Sequence, residues 1–299
     1  MALPATLRRL LIAAVLLGAA IVASAEGPAQ CAIATRSQTV GSGTIVYNIV
    51  GNGPNVLLIH GLFADKDQWM ALACRLAGAG YTALAPDLPG YGKSTGYAVA
   101  DYRLETQVAL LHALAAHLGI DRVHIAGNSM GGTIAAMYAD RYPSQVRSLA
   151  FLGSPLGVIA FNDGVADAIF QGINPFIPID AAQLDLELSL LFVTPPTLAP
   201  ATRQAIVANY VADRLHFVQV WNIVNLYIDA LRSVPPPRAP ALIVWGKDDR
   251  IFSVAGADQL HRRIPRSVVY RLPHAGHLLH LENAAEVAPI YVRFLRGAK

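Results

Sequence analysis

The apolar positions of this chain form short runs that recur at regular intervals. Strand-like runs lie near residues 43–50, 55–60, 81–85, 123–128, 147–152, 241–246 and 267–272. Helix-like spacing separates them, for example over residues 102–118, which end at Gly119, and again over residues 282–295. Strands that alternate with helices in this way indicate a mostly parallel central sheet flanked by helices on both faces. The pattern therefore predicts a fold of the α/β class.

The alternation of strands and helices is interrupted once. Residues 158–239 are strongly apolar, contain several prolines and show helical rather than strand-like spacing. We interpret residues 26–157 and 240–299 as an α/β core and residues 158–239 as a helical cap inserted into it. The apolar runs at residues 173–179, 188–193 and 217–227 could line a ligand pocket, or they could pack only against one another.

The N-terminus has the pattern of an export signal. Arg8 and Arg9 precede an apolar stretch at residues 10–23, and Ala23-Ser-Ala25 is a small-residue cleavage pattern. The stretch is shorter than the roughly 20 apolar residues that a spanning helix prefers. We therefore expect residues 1–25 to lie outside the fold, as a cleaved signal of a periplasmic or secreted protein or as a membrane anchor through residues 8–25.

Composition bounds the kind of protein and its partners. The chain has 299 residues, of which 54% are hydrophobic and 14% charged, enough to bury a large core. Its formal net charge is +3 and it has no long Lys or Arg run, so no nucleic-acid partner is expected. Cys31 and Cys74 are the only cysteines. In an exported chain they could form a disulfide, or Cys74, in a helix-like run, could be a plain buried thiol.

Ser129 follows one of the strand-like runs directly. The run enters Gly127-Asn-Ser-Met-Gly131, and a helix-like pattern continues over residues 133–142. A serine hydroxyl that attacks a substrate must stand clear of the backbone at a sharp strand-to-helix turn, and small residues at Gly127 and Gly131 let the chain pass that closely. The alternative is an ordinary glycine-rich turn. The strand and helix on either side favour Ser129 as a nucleophile.

Candidates for an acid and a base follow two later strands. Asp248 and Asp249 come after the run at residues 241–246, and His277 lies in the loop after residues 267–272. In a parallel sheet these loops meet at the carboxyl edge, where a carboxylate can orient an imidazole. Adjacent Asp residues after a strand could also be solvated turn residues.

No metal or other cofactor is expected. His274, His277 and His280 could be read as a small metal cluster, but their spacing across Pro273 and Gly276 matches none of the usual zinc patterns.

Two backbone N–H groups are candidates for binding an oxyanion. Met130 follows the proposed nucleophile at the start of a helix, where the helix dipole favours negative charge. Leu62 lies in the loop after the strand that ends at His60-Gly61. We expect His60 to support this loop, although His-Gly after a strand is often an ordinary turn.

In combination these motifs resemble the α/β-hydrolase family from about residue 38 to the end. The resemblance rests on the motifs His60-Gly-Leu-Phe63, Asp87-Leu-Pro-Gly-Tyr-Gly92, Gly127-Asn-Ser-Met-Gly-Gly132, Trp245-Gly-Lys-Asp-Asp249 and Gly276-His277. The branch it most resembles contains monoacylglycerol lipases with an N-terminal membrane segment and bacterial lipases and esterases. The resemblance implies an α/β-hydrolase fold, a triad of Ser129, Asp249 and His277, and a small ester or lipid substrate. The chain departs from the family at Ala284, where a proline is usual.

The resemblance implies hydrolysis of carboxylic esters through an acyl-enzyme, with membrane association through the N-terminal segment or the cap. Carbon–carbon bond hydrolysis of ring-cleavage products is an alternative, but such enzymes usually carry a Ser-Gly-Pro-Gly type loop where this chain has Leu-Phe-Ala-Asp. A non-catalytic receptor for hydrophobic ligands is a second alternative, which an intact Ser-His-Asp set disfavours.

Overall fold

The computed structural model describes residues 31–156, 161–226 and 234–298. The strands are β1 Ala34–Val40, β2 Gly43–Val50, β3 Asn55–Ile59, β4 Thr82–Pro86, β5 Val123–Asn128, β6 Val146–Leu152, β7 Ala241–Gly246 and β8 Val268–Leu272. They form one sheet in the order β1-β2-β4-β3-β5-β6-β7-β8. The pairs β1–β2 and β2–β4 are antiparallel, and all the others are parallel.

Helices connect successive strands from β3 onward, whereas short loops join β1 to β2 and β2 to β3. They are α1 Met70–Gly78, α2 Leu104–His117, α3 Met130–Arg141, α4 Asp163–Phe170, α5 Ala181–Leu191, α6 Pro200–Ala212, α7 Arg214–Asn225, α8 Ala255–Arg263, α9 Leu279–Glu282 and α10 Ala284–Gly297. Short 3-10 turns precede α1 and α2 at Lys66–Trp69 and Val99–Tyr102. The helices cover both faces of the sheet, as the sequence predicts.

The apolar core lies on both faces of the sheet. Along β7, Ile243 and Trp245 belong to one buried cluster, whereas Leu242 and Val244 belong to the other. Successive side chains of a strand point to opposite faces, so a strand covered on both sides must be apolar throughout. This is why the central strands read as continuous hydrophobic runs in the sequence.

The seven predicted strands are all present, but the sequence did not predict β1. Among the strands that the structure describes, Ala34–Val40 pairs with β2 alone, and most of its side chains are exposed. An edge strand with solvent on its surfaces needs no apolar pattern, and none is visible. The helices match the predictions to within a few residues, except that the last splits at Asn283 into α9 and α10.

Cys31 and Cys74 form a disulfide, with 5.6 Å between their Cα atoms. The bond joins the start of the described chain to α1, and it decides against the alternative of a free buried thiol. The predicted export signal or anchor, residues 1–25, lies outside the described residues. Within the described ranges, no helix is long and apolar enough to cross a membrane.

In the described part of the chain between β6 and β7 there are four helices, α4 to α7. We call residues 161–226 the helical insertion. Helices α5 and α6 and the segments next to them form a separate apolar cluster of Ile177, Leu184, Leu188, Phe192, Leu198, Ile206 and Tyr210. Leu278, the neighbour of His277, belongs to the same cluster, and Phe63, beside Leu62, packs against it. The insertion therefore lies against the two loops that carry the predicted base and one predicted oxyanion donor.

Candidate active site

Ser129 lies at a sharp turn between β5 and α3. Its backbone has φ 51° and ψ −124°, in the left-handed half of conformational space that a residue with a side chain rarely adopts. A methyl group on Gly127 would collide with the backbone of Gly131, and one on Gly131 would collide with the carbonyl oxygen of Ile59. Both glycines are thus required by the close approach of the chain, as the sequence predicts.

His277 and Asp249 are in direct contact. The Nδ1 atom of His277 lies 3.0 Å from the Oδ2 atom of Asp249, and both side chains are buried. The other carboxylate oxygen of Asp249 accepts hydrogen bonds from the N–H groups of Ile251 (2.8 Å) and Phe252 (3.0 Å). Because Nδ1 donates its proton to the carboxylate, Nε2 is the ring nitrogen available as a base. The neighbouring Asp248 is exposed.

The histidine loop is tied to the residue that precedes Ser129. The amide Nδ2 of Asn128 donates to the carbonyl oxygen of His277 at 3.0 Å and to that of Leu152 at 2.7 Å. The sheet thus brings together the loops after β5, β7 and β8, which carry Ser129, Asp249 and His277, respectively. Asn128 is not among the residues that the sequence predicts for the site, although it lies in the same short motif as Ser129.

The loop after β3 lies against the Ser129 turn. A methyl group on Gly61 would lie 3.2 Å from the Cβ atom of Ser129. Leu62 follows Gly61 directly, and Met130, the first residue of α3, has an N–H with no acceptor inside its own helix. Both predicted oxyanion donors are thus on backbone that borders Ser129.

His60 bonds the loop after β3 to the loop after β4. The Nε2 atom of His60 accepts a hydrogen bond from the Leu88 N–H (3.0 Å), while Nδ1 donates to the carbonyl oxygen of Gly61 (2.8 Å). Complete burial lowers the pKa of His60 to about 4, which keeps the ring neutral and able to accept. The structure thus supports the interpretation of His60 as a residue that holds the loop.

The Asp87 carboxylate joins the loop after β3 to the loop after β4. It accepts from the backbone N–H groups of Lys66 and Lys93, both at 2.8 Å, and pairs with the Lys66 ammonium at 3.2 Å. The Asp87 and Lys66 side chains are both buried. In the sequence Asp87 stood out only as part of a family motif, although a carboxylate directly after a strand at the carboxyl edge was a usable signal.

A family model described as the alpha/beta hydrolase fold matches residues 54–284. The chain belongs to the α/β-hydrolase family. The predicted fold class is therefore confirmed.

Named relatives of this hydrolase include lipases. Lipase 1 of Psychrobacter immobilis is 30% identical over 268 residues, covering 87% of this chain and 83% of the relative. Monoacylglycerol lipase ABHD6 of Bos taurus is 27% identical and covers 82% and 76% of the two chains. A solved structure described as a membrane phospholipase A, a bacterial virulence factor, is 32% identical with a TM-score of 0.82, covering 89% and 86%.

The helical insertion of the hydrolase is bonded to the loops that carry Asp249 and His277. Arg250, next to Asp249, donates to the carbonyl oxygen of Ser189 in α5 at 2.9 Å. Glu282, in α9 after His277, accepts from the N–H groups of Val193 and Thr194 at 3.2 Å. Burial raises the pKa of Glu282. These bonds make the position of the insertion depend on the same two loops that position the acid and the imidazole.

His274, His277 and His280 have separate environments: His274 is exposed in the loop after β8, and His280 lies in α9. His277 bonds Asp249, whereas the His280 ring lies against Trp69 with 4.2 Å between ring centroids. Burial lowers the pKa of His280 to about 3, with a smaller contribution from His277. Across the described part of the chain, no three His, Cys, Asp or Glu side chains group as metal ligands would.

Proposed function

We propose that this α/β hydrolase is a carboxylic ester hydrolase that uses Ser129 as nucleophile, His277 as base and Asp249 as the residue that orients the base. The observation that carries the proposal is the 3.0 Å contact between His277 and Asp249 at the carboxyl edge of the sheet. The histidine backbone is bonded to Asn128, the residue directly before Ser129. The relatives named as lipases support ester cleavage.

The proposed reaction has two steps. In the first, the Ser129 hydroxyl attacks the ester carbonyl while His277 Nε2 takes its proton and then returns it to the leaving alcohol. In the second, His277 activates a water molecule that hydrolyses the acyl-enzyme. Asp249 holds the Nδ1–H tautomer throughout and stabilises the imidazolium that forms.

The oxyanion of each tetrahedral intermediate would be bound by the N–H groups of Leu62 and Met130. Donors fixed before the reaction stabilise charge without reorganising, and one such donor is worth about 10²–10³ in turnover. The His60 and Asp87 contacts give the Leu62 loop this fixed position. The start of α3 adds the positive end of a helix dipole at Met130.

We propose residues 158–239 as a cap over the site and acyl esters, including monoacylglycerols, as substrates. The insertion presents an apolar cluster beside Phe63 and Leu278, which suits an acyl chain better than a polar substrate. An apolar cover also excludes water and strengthens the electrostatics at the oxyanion. A relative named monoacylglycerol lipase supports the same substrate class.

We further propose that the protein is exported and acts at a lipid surface. The Cys31–Cys74 disulfide is typical of oxidising compartments outside the cytosol. The insertion exposes Phe170, Leu215 and Leu226, large apolar side chains that favour contact with lipid. In sedimentation with phosphatidylcholine vesicles, we expect the mature chain to pellet and a Phe170→Asp, Leu215→Asp variant to remain in the supernatant. Equal pelleting of both proteins would reject the insertion as the contact surface.

Covalent labelling tests the proposed nucleophile. A fluorophosphonate should modify the protein once, at Ser129, as located by peptide mass spectrometry. A receptor without a working site should not react, and modification elsewhere would reject the assignment. A series of p-nitrophenyl esters of rising chain length, run beside monoacylglycerols and a ring-cleavage product, then separates ester hydrolysis from the carbon–carbon bond alternative.

A further inference from the structure

Asn128 is the last residue of β5 and is almost completely buried. Its side chain points at two carbonyl oxygens, those of Leu152 (2.7 Å) and His277 (3.0 Å). A side-chain amide has two N–H groups on one nitrogen, so both donors are used.

These two bonds join parts of the chain that are distant in sequence. Leu152 ends β6, the neighbour of β5 in the sheet, whereas His277 lies 149 residues after Asn128 in the loop that follows β8. A methyl group on Gly153 would lie 3.1 Å from the same His277 oxygen, so the histidine loop packs directly on the end of β6. Asn128 is therefore the side chain through which the nucleophile strand contacts the histidine loop.

The amide also borders the loop after β3. A methyl group on Gly61 would lie 3.3 Å from the Oδ1 atom of Asn128. The Asn128 side chain thus lies between the loop of His277 and the loop of Leu62. Because the side chain is almost completely buried, we expect a longer one to displace one of these loops.

We propose that Asn128 is a positioning residue that sets the His277 imidazole relative to the Ser129 hydroxyl. The proposal rests on the function proposed above. Only a short side chain with two N–H donors can bond both carbonyl oxygens. Asp offers no donor when ionised and one O–H when protonated, Ser offers one, and Ala offers none.

Loss of these bonds should slow the reaction more than it weakens substrate binding. The Asn128 side chain is almost completely buried and its two bonds go to backbone oxygens, so we expect its replacement to leave the residues that contact substrate unchanged. A base that is misplaced by about 1 Å can lower the rate by about 10²-fold. We expect Asn128→Ala to lower kcat by about tenfold to a hundredfold, with KM within about twofold of that of the unsubstituted protein.

An acidic variant distinguishes positioning from general damage to the fold. In Asn128→Asp the buried carboxyl has a raised pKa and can donate one hydrogen bond while it is protonated. The ratio of its kcat to that of Asn128→Ala should therefore exceed one at about pH 6 and fall as pH rises, because ionisation removes the donor. If Asn128→Ala fails to fold, the kcat of Asn128→Asp is instead divided by that of the unsubstituted protein, and this ratio should also fall as pH rises.

The experiment measures kcat and KM on a p-nitrophenyl ester between about pH 6 and 9. Asn52→Ala and Asn52→Asp are the matched controls. Asn52 is exposed in the loop before β3, whereas the Leu62 loop follows β3 at its other end. The proposal is overturned if Asn128→Ala keeps kcat within about twofold, or if both variants lose the same factor at every pH. Ser129→Ala is measured in the same series to separate the positioning role of Asn128 from the proposed function. Undiminished activity of Ser129→Ala would reject the proposed function itself.

Discussion

Asp249 and His277 are joined by a hydrogen bond of 3.0 Å between Oδ2 and Nδ1, in a buried setting where the second carboxylate oxygen is also satisfied by two backbone N–H groups. The carboxylate is thus fixed on one side by its own loop and presents its other oxygen to the imidazole. This arrangement dictates the tautomer of His277 and leaves Nε2 facing away from Asp249.

The tautomer makes Asp249 the most informative acidic residue to change. Asn has nearly the same shape but can present an N–H to Nδ1, which would favour the wrong tautomer. We expect Asp249→Asn to lower kcat by about 10⁴-fold with little change in unfolding temperature. The neighbouring Asp248→Asn is the matched control and should keep normal kinetics, because Asp248 is exposed. Equal losses in the two variants would contradict the assignment.

The loop after β3 should respond to loss of its histidine. His60→Ala removes the acceptor for the Leu88 N–H and the donor to the Gly61 carbonyl oxygen. We expect kcat to fall by about a hundredfold because the Leu62 N–H loses its fixed position. His124→Ala serves as a control for loss of a buried imidazole, since His124 bonds Ser148 near the start of β5. A similar loss of kcat in that control would show that the effect comes from general destabilisation.

The local part of the site was predictable from the sequence. The turn at Ser129 is encoded within ten residues, because the strand, the two glycines and the helix follow one another directly. The central strands were predictable because burial on both faces requires continuous apolar runs. Strand β1 was not, since an exposed edge strand needs no such run.

Contacts between distant segments could not be predicted from the sequence pattern. The family resemblance pointed to Asp249 rather than Asp248, but only burial and the contact with His277 separate the two physically. Asn128 looked like an ordinary motif residue because its partner, the His277 carbonyl oxygen, lies 149 residues away. The acceptor is a backbone carbonyl oxygen, which every residue has. The identity of the residue at position 277 therefore gives no indication of this bond.

Glu187 should make stability depend on pH. It is buried in the helical insertion, where it accepts a hydrogen bond from the Tyr210 hydroxyl (3.1 Å), and burial raises its pKa from 4.5 to about 8. The folded protein therefore holds this proton more tightly than the unfolded chain. Its contribution to stability is fully present below the unfolded pKa and is lost as pH rises through the folded value.

We expect Glu187→Gln to flatten the decline in unfolding free energy between about pH 5 and 9, because its amide does not ionise. Chemical denaturation at several pH values measures this slope. Glu105→Gln, at an exposed position in the first turn of α2, should retain the slope of the unsubstituted protein. The same slope in Glu187→Gln and the unsubstituted protein would refute the prediction.

The disulfide should contribute stability rather than activity. It joins residues 43 positions apart, and cross-links of this kind typically contribute about 2–4 kcal/mol. We expect the Cys31→Ala, Cys74→Ala double variant to unfold at lower denaturant concentration while kcat stays within about twofold. Reduction of the unsubstituted protein should reproduce the loss, and reductant should not affect the double variant. A further loss in the double variant on reduction would contradict this account.

Replacement of the proposed nucleophile tests the central claim most directly. The measurement is kcat/KM for a p-nitrophenyl ester with purified Ser129→Ala, beside Ser37→Ala, which makes the same change at an exposed position of β1. We expect Ser129→Ala to lose at least about a thousandfold while it unfolds cooperatively, and Ser37→Ala to keep its activity. Near-normal ester hydrolysis by the Ser129→Ala protein would contradict the proposed mechanism.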